Sequence, residues 1–252
     1  MDWRDHGIVL GARRHGESAA IVALFTREHG RHLGLVRGGA GRRAGGLYQK
    51  GNLLAVHWRA RLAEHLGTFT GELDEPLGAG ALDDPARLEA LVAALAVLDQ
   101  ALPEREAHTG LYDATLALLR LLAADDKSAA PPSTWAAAYV RWECRCLAEF
   151  GFGLVLGGGG SAGESEVSAF VSLRTGRAQG AGALRGESRL PLPPFLAGAD
   201  GTPPPAADIH AGLALTQHFL DRHVLGPHGR RVPAARLRML ERWRRLATIS
   251  GK

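Results

Sequence analysis

The sequence predicts an α+β protein: a five-stranded barrel over residues 1–80, then a helical region over 81–252 that carries an irregular insert at 157–205. Three observations predict it. The first 80 residues alternate between short apolar segments and glycine- or charge-bearing breaks, as closely spaced strands do. After Pro76 the apolar residues recur at helical spacing instead. Between 157 and 205 neither pattern holds. Four consecutive glycines open that stretch, and six of the chain's thirteen prolines fall within it.

The strand candidates are 7–14, 19–26, 31–37, 52–60 and 66–72. The breaks between them fall at His15-Gly16-Glu17, at His29-Gly30, across the glycine-rich stretch 38–51, and at 61–65. Five strands in about 75 residues suit a small closed barrel. The OB-fold is one such barrel and the SH3-like barrel is another; spacing does not separate them.

The helices follow in order. Asp84 is an N-cap with Pro85 at the first helical position. Leu88, Leu91, Val92, Leu95, Leu98 and Leu102 mark the apolar face behind it, and Pro103 ends it. Leu111, Thr115, Leu118, Leu119 and Leu122 mark a second helix, and a polar, proline-ended loop follows at 125–132. Ser133 is read as the cap of a third helix striped by Trp135, Ala138, Tyr139, Trp142, Cys146 and Phe150, with Gly151 closing it. An aromatic stripe at this spacing reads as core. In the insert, 167–173 is strand-like and Arg174-Thr175-Gly176-Arg177 is a turn, while prolines enclose an apolar patch at 192–196. Asp208 is read as the cap of a fourth helix running to Leu225 and closed by Gly226-Pro227. Pro233 opens a fifth that carries Leu237, Leu240 and Trp243.

Composition and motifs exclude several function classes. Hydrophobic residues make up 46% of the chain, enough for a packed core. No apolar run approaches the roughly 20 residues that span a bilayer. The start, MDWRDHG, has no apolar signal region, so a soluble intracellular protein is expected. Gly11 to Ser18 has the spacing of a phosphate loop, but Glu17 stands where lysine is required and would repel phosphate. Gly159-Gly160-Ser161-Ala162-Gly163 fits a nucleophile elbow in spelling only, for a glycine run precedes it in place of a strand. The two cysteines, Cys144 and Cys146, project from roughly opposite sides of a helix and can neither bridge nor chelate together. Eleven histidines include no HExxH pair, and no four-ligand set is evident. No catalytic residue, metal or cofactor is therefore assigned.

Charge distribution is the informative part. Residues 1–61 hold eleven Lys/Arg against four Asp/Glu, residues 62–221 ten against twenty-one, and residues 222–252 nine against one. Two basic ends, +7 and +8, flank a middle of −11, so a polyanion suits the ends better than the centre. In the first segment Arg31, Arg37, Arg42 and Arg43 lie on or beside one strand and the glycine-rich turn after it. Lys50, Arg59 and Arg61 accompany the next strand, and Arg13 and Arg14 sit at a rim. In a five-stranded barrel the strand 2–3 face and adjoining loops are where oligonucleotides lie. His32, Tyr48, His57 and Trp58 offer stacking rings, two or three of which must be packing, because one face of every strand is core.

The residues GIVLGARRHGESAAIVALFTREHGRHLGLVRGG, QKGNLLAVHWRARLAEHLGTF, YVRWECRCLAEFGFGL and LALTQHFLDRHVLGP, in that order, give the chain a resemblance to the RecO family of bacterial recombination mediators over nearly its whole length. The resemblance implies an N-terminal OB-fold and a helical domain whose insert is zinc-bound in many members. It implies binding of single- and double-stranded DNA and annealing of single strands. It also implies partnership with RecR, and help in loading the RecA recombinase onto strands covered by single-stranded DNA-binding protein. The family's basic turn after the third strand falls on Arg37, Arg42 and Arg43. The paired CxxC motifs of zinc-binding members are missing, so a zinc role is not expected. A non-enzymatic, nucleoid-associated cytoplasmic DNA-binding protein is the reading that results. Arg141 and Arg145, one turn apart beside the aromatic stripe, are candidates to receive the acidic tail of single-stranded DNA-binding protein, with the terminal helix and its Arg236, Arg238, Arg242, Arg244 and Arg245 as a competing receptor or second DNA contact. The alternatives are an OB-fold RNA-binding or ribosome-associated factor and, in another class, a hydrolase using Ser161.

Overall fold

The computed structural model describes residues 1–124, 131–156, 170–180, 188–198 and 202–250. The chain divides into two compact units, Met1–Asp126 and Lys127–Lys252.

Five strands form the first unit's barrel: β1 (Asp2–His15), β2 (Ala19–Thr26), β3 (Gly30–Val36), β4 (Leu53–Arg59) and β5 (Thr68–Glu75). They close in the order β1-β2-β3-β5-β4, with β4 returning to β1. All neighbours are antiparallel except β3 and β5, which meet in parallel at Leu35 and Thr68. This is the OB-fold, and it resolves the choice that strand spacing left open. Val9, Val22, Leu24, Val36, Leu54, Val56, Trp58 and Phe69 fill the barrel, with Tyr48 against them. Gly34 is required by this packing, because a Cβ there would run into the Phe69 ring.

β1 begins five residues before the expected Gly7. Asp2, Arg4 and His6 face solvent while Trp3 and Asp5 are half-buried, and these residues pair with β4 from Arg59 to Ala55. The expected glycine-rich turn after β3 is in fact a short helix, α1 (Arg42–Leu47). Two internal glycines make it a poor helix by propensity. Asn52 compensates by donating through Nδ2 to the carbonyls of Gly46 and Leu47, 3.0 and 3.1 Å away, which satisfies the last turn.

A short turn, α2 (Leu77–Gly80), leads to α3 (Pro85–Ala101) and α4 (Thr109–Ala123). Asp84 caps α3 as expected, accepting from the backbone N–H groups of Ala86 and Arg87. The buried Arg87 donates to the carbonyls of Leu121 and Ala124 at the end of α4. Ala90, Ala93 and Ala94 of α3 are buried along with Leu91, Leu95 and Leu98. Because α3 packs on β1 and on α4, the first unit extends well past residue 80.

The second unit holds α5 (Pro132–Glu149), α6 (Ala206–Phe219) and α7 (Ala234–Ser250), with α6 packed against both others. Pro131, not Ser133, precedes the first turn of α5, and Pro205, not Asp208, that of α6; Asp208 lies inside the first turn. Gly151 does end α5: its N–H bonds to the carbonyl of Ala148 and that of Phe152 to Leu147, a Schellman closure at φ 84°. Past α6 the chain widens into a π-helical turn at Leu220–Leu225, then a 3₁₀ turn, and stops at Gly229 with φ 66°. Part of the insert is a small antiparallel sheet, β6 (Phe170–Ser172), β7 (Ala178–Gln179) and β8 (Arg189–Pro191), in the order β7-β6-β8. Ser161 and its flanking glycines lie outside the described residues.

The centre of the second unit is ionic. Arg236 of α7 and Glu143 of α5 are both fully buried, with Nε 2.6 Å from Oε1 and Nη2 2.9 Å from Oε2. Nη2 also donates to the carbonyl of Leu213 and to Thr216 Oγ1 of α6, so the network ties all three helices. Burial opposes the charge on Arg236, and Glu143 more than offsets that, leaving the guanidinium pKa raised. The Tyr139 ring lies 6.0 Å from the guanidinium, and about two turns along the same helices Trp135 meets Trp243 edge-on at 6.0 Å. The inward face of α7 is thus Ala235, Arg236, Met239 and Trp243, while Leu237 is exposed.

Candidate nucleic-acid interface

The barrel has two contrasting surfaces. Outward residues of β2 and β3 meet α3 and α4. Phe25 packs edge-on to Tyr112 at 5.5 Å. Arg27 makes a two-point contact with Asp113 at 3.1 and 3.2 Å. Arg31, 16% exposed, lies between Asp99 and Glu104 at 3.0 and 2.9 Å. Residues 104–106 run along the start of β3, where the Arg105 N–H bonds to the Arg31 carbonyl and a Cβ on Gly30 would strike the Glu106 backbone. Arg105 itself, at φ 64°, donates to the carbonyls of Glu64 and His65 in the β4–β5 loop. The protein's own helices therefore cover the Phe25–Arg31 end of the strand 2–3 face, while a recess bordered by Ile21, Ala23 and Leu33 stays open on it. Arg31 is matched by two carboxylates and is poorly placed to neutralise phosphate.

The open surface lies around α1. A cleft of about 1010 Å³ runs between the end of β3, α1 and the outer side of β5. Arg37, Arg42 and Arg59 stand at its edge, and Leu47, Phe69 and Leu73 contribute to its floor. The first three are exposed. Glu72 is the cleft's one acidic lining residue. Arg59 approaches Asp2 at 3.7 Å, but both side chains are more than half exposed, so water and salt screen the pair and a stronger anion can displace it. Arg43 is the second residue of α1.

The remaining cations are spread out. Arg13 and Lys50 line a second recess of about 310 Å³ with Arg31 and Asp99. Arg14 is exposed near the β1–β2 turn, with Nη2 3.3 Å from the Glu17 carbonyl. Arg61 is exposed on the β4–β5 loop. Of the stacking candidates, His32, Tyr48 and Trp58 are buried in the barrel and His57 is half-buried beside Asp2, 3.6 Å away. Arg4 was missed from sequence; it is exposed and lines a groove of about 570 Å³ with His6 and His57. The alternation of Asp2, Arg4 and His6 with Trp3 and Asp5 was the available signal.

In the second unit Arg141 and Arg145 are both exposed on α5. Arg141 donates to the Phe195 carbonyl at 3.0 Å and lies over its ring, 5.5 Å from the centroid. Trp135, Tyr139 and Trp142 are in the core, so the apolar neighbours a peptide would need are not on the surface there. Burial pushes the Cys144 thiol up to about 12 and raises the Cys146 thiol well above its ordinary value, so both stand as protonated thiols. Among the described residues no cluster of three or more His, Cys, Asp or Glu could hold a metal, and no helix is long and apolar enough to cross a membrane.

An OB-fold barrel with an arginine-edged cleft, joined to a helical unit, defines the class: a nucleic-acid-binding protein. Comparison with known proteins narrows it. Residues 1–76 match the family model "Recombination protein O N terminal" and residues 82–231 match "Recombination protein O C terminal". The chain is 48% identical to the DNA repair protein RecO of Rhodospirillum centenum over 255 aligned positions, covering 100% of this chain and 98% of the relative. It is 47% identical to that of Rhodospirillum rubrum over 97% of each chain, and 44% identical to that of Jannaschia sp. over 100% of each. The chain belongs to the RecO family, whose place is in DNA repair and recombination.

Proposed function

We propose that this chain is a non-enzymatic recombination mediator that binds and anneals single-stranded DNA, and that it assists, with RecR, in loading the RecA recombinase onto strands covered by single-stranded DNA-binding protein. The observation that carries the reading is the open cleft at α1, edged by Arg37, Arg42 and Arg59. Arginines at the edge neutralise phosphates and release counterions, which lowers the repulsion between complementary strands. Backbone contacts of this kind position a strand without reading its bases, so annealing is expected to be indifferent to sequence. Duplex DNA binds through the same electrostatics. Arg42 with Arg43, Arg13 with Arg14, and Lys50 and Arg61 extend the surface. Arg141 and Arg145 are the proposed contacts for the acidic residues of the tail of single-stranded DNA-binding protein, whose apolar end must seat on groups other than the buried Trp135, Tyr139 and Trp142. The proposed location is the cytoplasm, on the nucleoid.

The test is annealing of complementary oligonucleotides, bare and coated with cognate single-stranded DNA-binding protein, against an RNA competitor. Acceleration in both DNA reactions, with coated strands refractory without the protein, supports the reading. No acceleration of bare strands at low salt, or preferential capture of RNA, overturns it.

A further inference from the structure

The matched C-terminal family model stops at residue 231, so α7 lies beyond it. The orientation of α7 is fixed from within, since Arg236 is held by Glu143, Met239 is buried, and Trp243 sits against Trp135. At 100° per residue, anchoring 236, 239 and 243 inward turns 238, 242 and 245 outward along one line. Arg238, Arg242, Arg244 and Arg245 are all exposed, as are Arg230 and Arg231 where the chain enters the helix. Glu241 is the one acidic residue of α7; Arg244 and Arg245 share its carboxylate at 2.7 and 2.9 Å and hold its pKa down to about 2. The exposed face of α7 thus sets four arginines against one glutamate.

We propose that the outer face of α7 is a second contact for the nucleic-acid backbone, so that each of the two compact units carries its own phosphate-binding surface. The inference rests on the proposed nucleic-acid function. Arg238, Arg242 and Arg245 cover about 10 Å of helix axis, a length over which a strand presents roughly three phosphates. Leu246 and Ile249, exposed and three positions apart beside Arg242 and Arg245, are the apolar residues that an acidic, apolar-tipped peptide could use, so such a peptide is the competing occupant that the experiment separates from DNA. With one surface on each unit, the chain can hold two complementary strands.

The experiment uses the full chain and fluorescent oligothymidylate in a salt titration. Three variants are compared: Arg238→Gln/Arg242→Gln/Arg245→Gln, the same three changed to Lys, and Arg37→Ala/Arg42→Ala/Arg59→Ala in the barrel. The glutamine triple should lower affinity about tenfold at low salt and flatten the log–log slope by about 2, near 0.7 per lost phosphate contact. The lysine triple should keep the wild-type slope. Should the glutamine triple not fold, Arg242→Gln and Arg245→Gln alone should each flatten the slope by about 0.7. Loss in the α7 variants with an unaffected barrel variant upholds this inference and removes the barrel cleft. Wild-type affinity and slope in folded glutamine variants, with loss in the barrel variant, overturns the inference and leaves the proposed function intact. So does an α7 variant that loses an acidic tail peptide and retains DNA.

Discussion

Replacing Glu143 by Leu seals an unpaired guanidinium inside the second unit. Arg236 is fully buried and directs four hydrogen bonds into the core: two to Glu143, one to the Leu213 carbonyl and one to Thr216. Leucine removes the charge that balances the guanidinium and two of those acceptors, and no water route replaces them at zero exposure. Breaking a buried pair from one side costs about 3–5 kcal/mol. For a unit of this size that is a fall in Tm of roughly 10–20 °C. The double variant Glu143→Leu/Arg236→Met removes both charges together, and apolar replacement of a buried pair is commonly neutral within about 1–2 kcal/mol. Urea unfolding followed by tryptophan fluorescence reads this, because Trp135 and Trp243 pack against each other between the same two helices that the pair ties and lose that packing when the unit opens. A single-variant cost below about 1 kcal/mol would refute the reasoning, as would a double variant no more stable than the single. The double variant also separates fold from function: its salt slope for oligonucleotide binding should match wild type, because Arg236 has no surface to offer a phosphate.

Other outcomes follow from the barrel. Arg37→Ala/Arg42→Ala/Arg59→Ala should flatten the salt slope of single-strand binding by about 2–3, whereas Arg31→Ala should leave it unchanged and lower stability instead. Gly67→Ala places a side chain at φ 64° against the Trp58 indole, whose Nε1 donates to the Leu66 carbonyl at 3.0 Å; thermal melts should show a loss of more than about 1 kcal/mol. Burial lowers the pKa of His32, and of His210 and His218, below the ordinary 6.5. The unfolded chain therefore binds protons first, so stability should fall as pH drops below about 6.5, and His32→Asn should reduce that pH dependence in equilibrium unfolding.

Strand and helix spacing were legible because apolar periodicity is set by the core. Ala19–Thr26 and the Asp84 cap fall where the sequence places them. The misreadings share a cause. The first residues of β1 were passed over because their exposed positions are charged, although the alternation was present. Ala90, Ala93 and Ala94 were passed over on α3 because leucine marks a face more visibly than alanine, although alanine lets two elements approach closely. The glycine-rich segment after β3 was read as a turn because glycine disfavours helix, and the compensating cap is Asn52, five residues past the end of α1.

The charge map gives totals and does not by itself give sites, for a physical reason. A net charge counts an arginine the same whether it faces water, a neighbour's carboxylate or the core. Among the arginines singled out by position, Arg37 and Arg42 face an open cleft, Arg31 is held between Asp99 and Glu104, and Arg236 is an interior tie rod. What distinguishes them is where the acidic residues of the −11 middle segment fold back. Asp99, Glu104 and Asp113 cover one side of the barrel, and Glu143 enters the core. The basic excess over residues 1–61 is thereby concentrated on the barrel's remaining surface. The segments left with fewest exposed carboxylates are then the ones proposed to contact a polyanion: 1–61 on the barrel, and 222–252 on α7 with its single acid at Glu241.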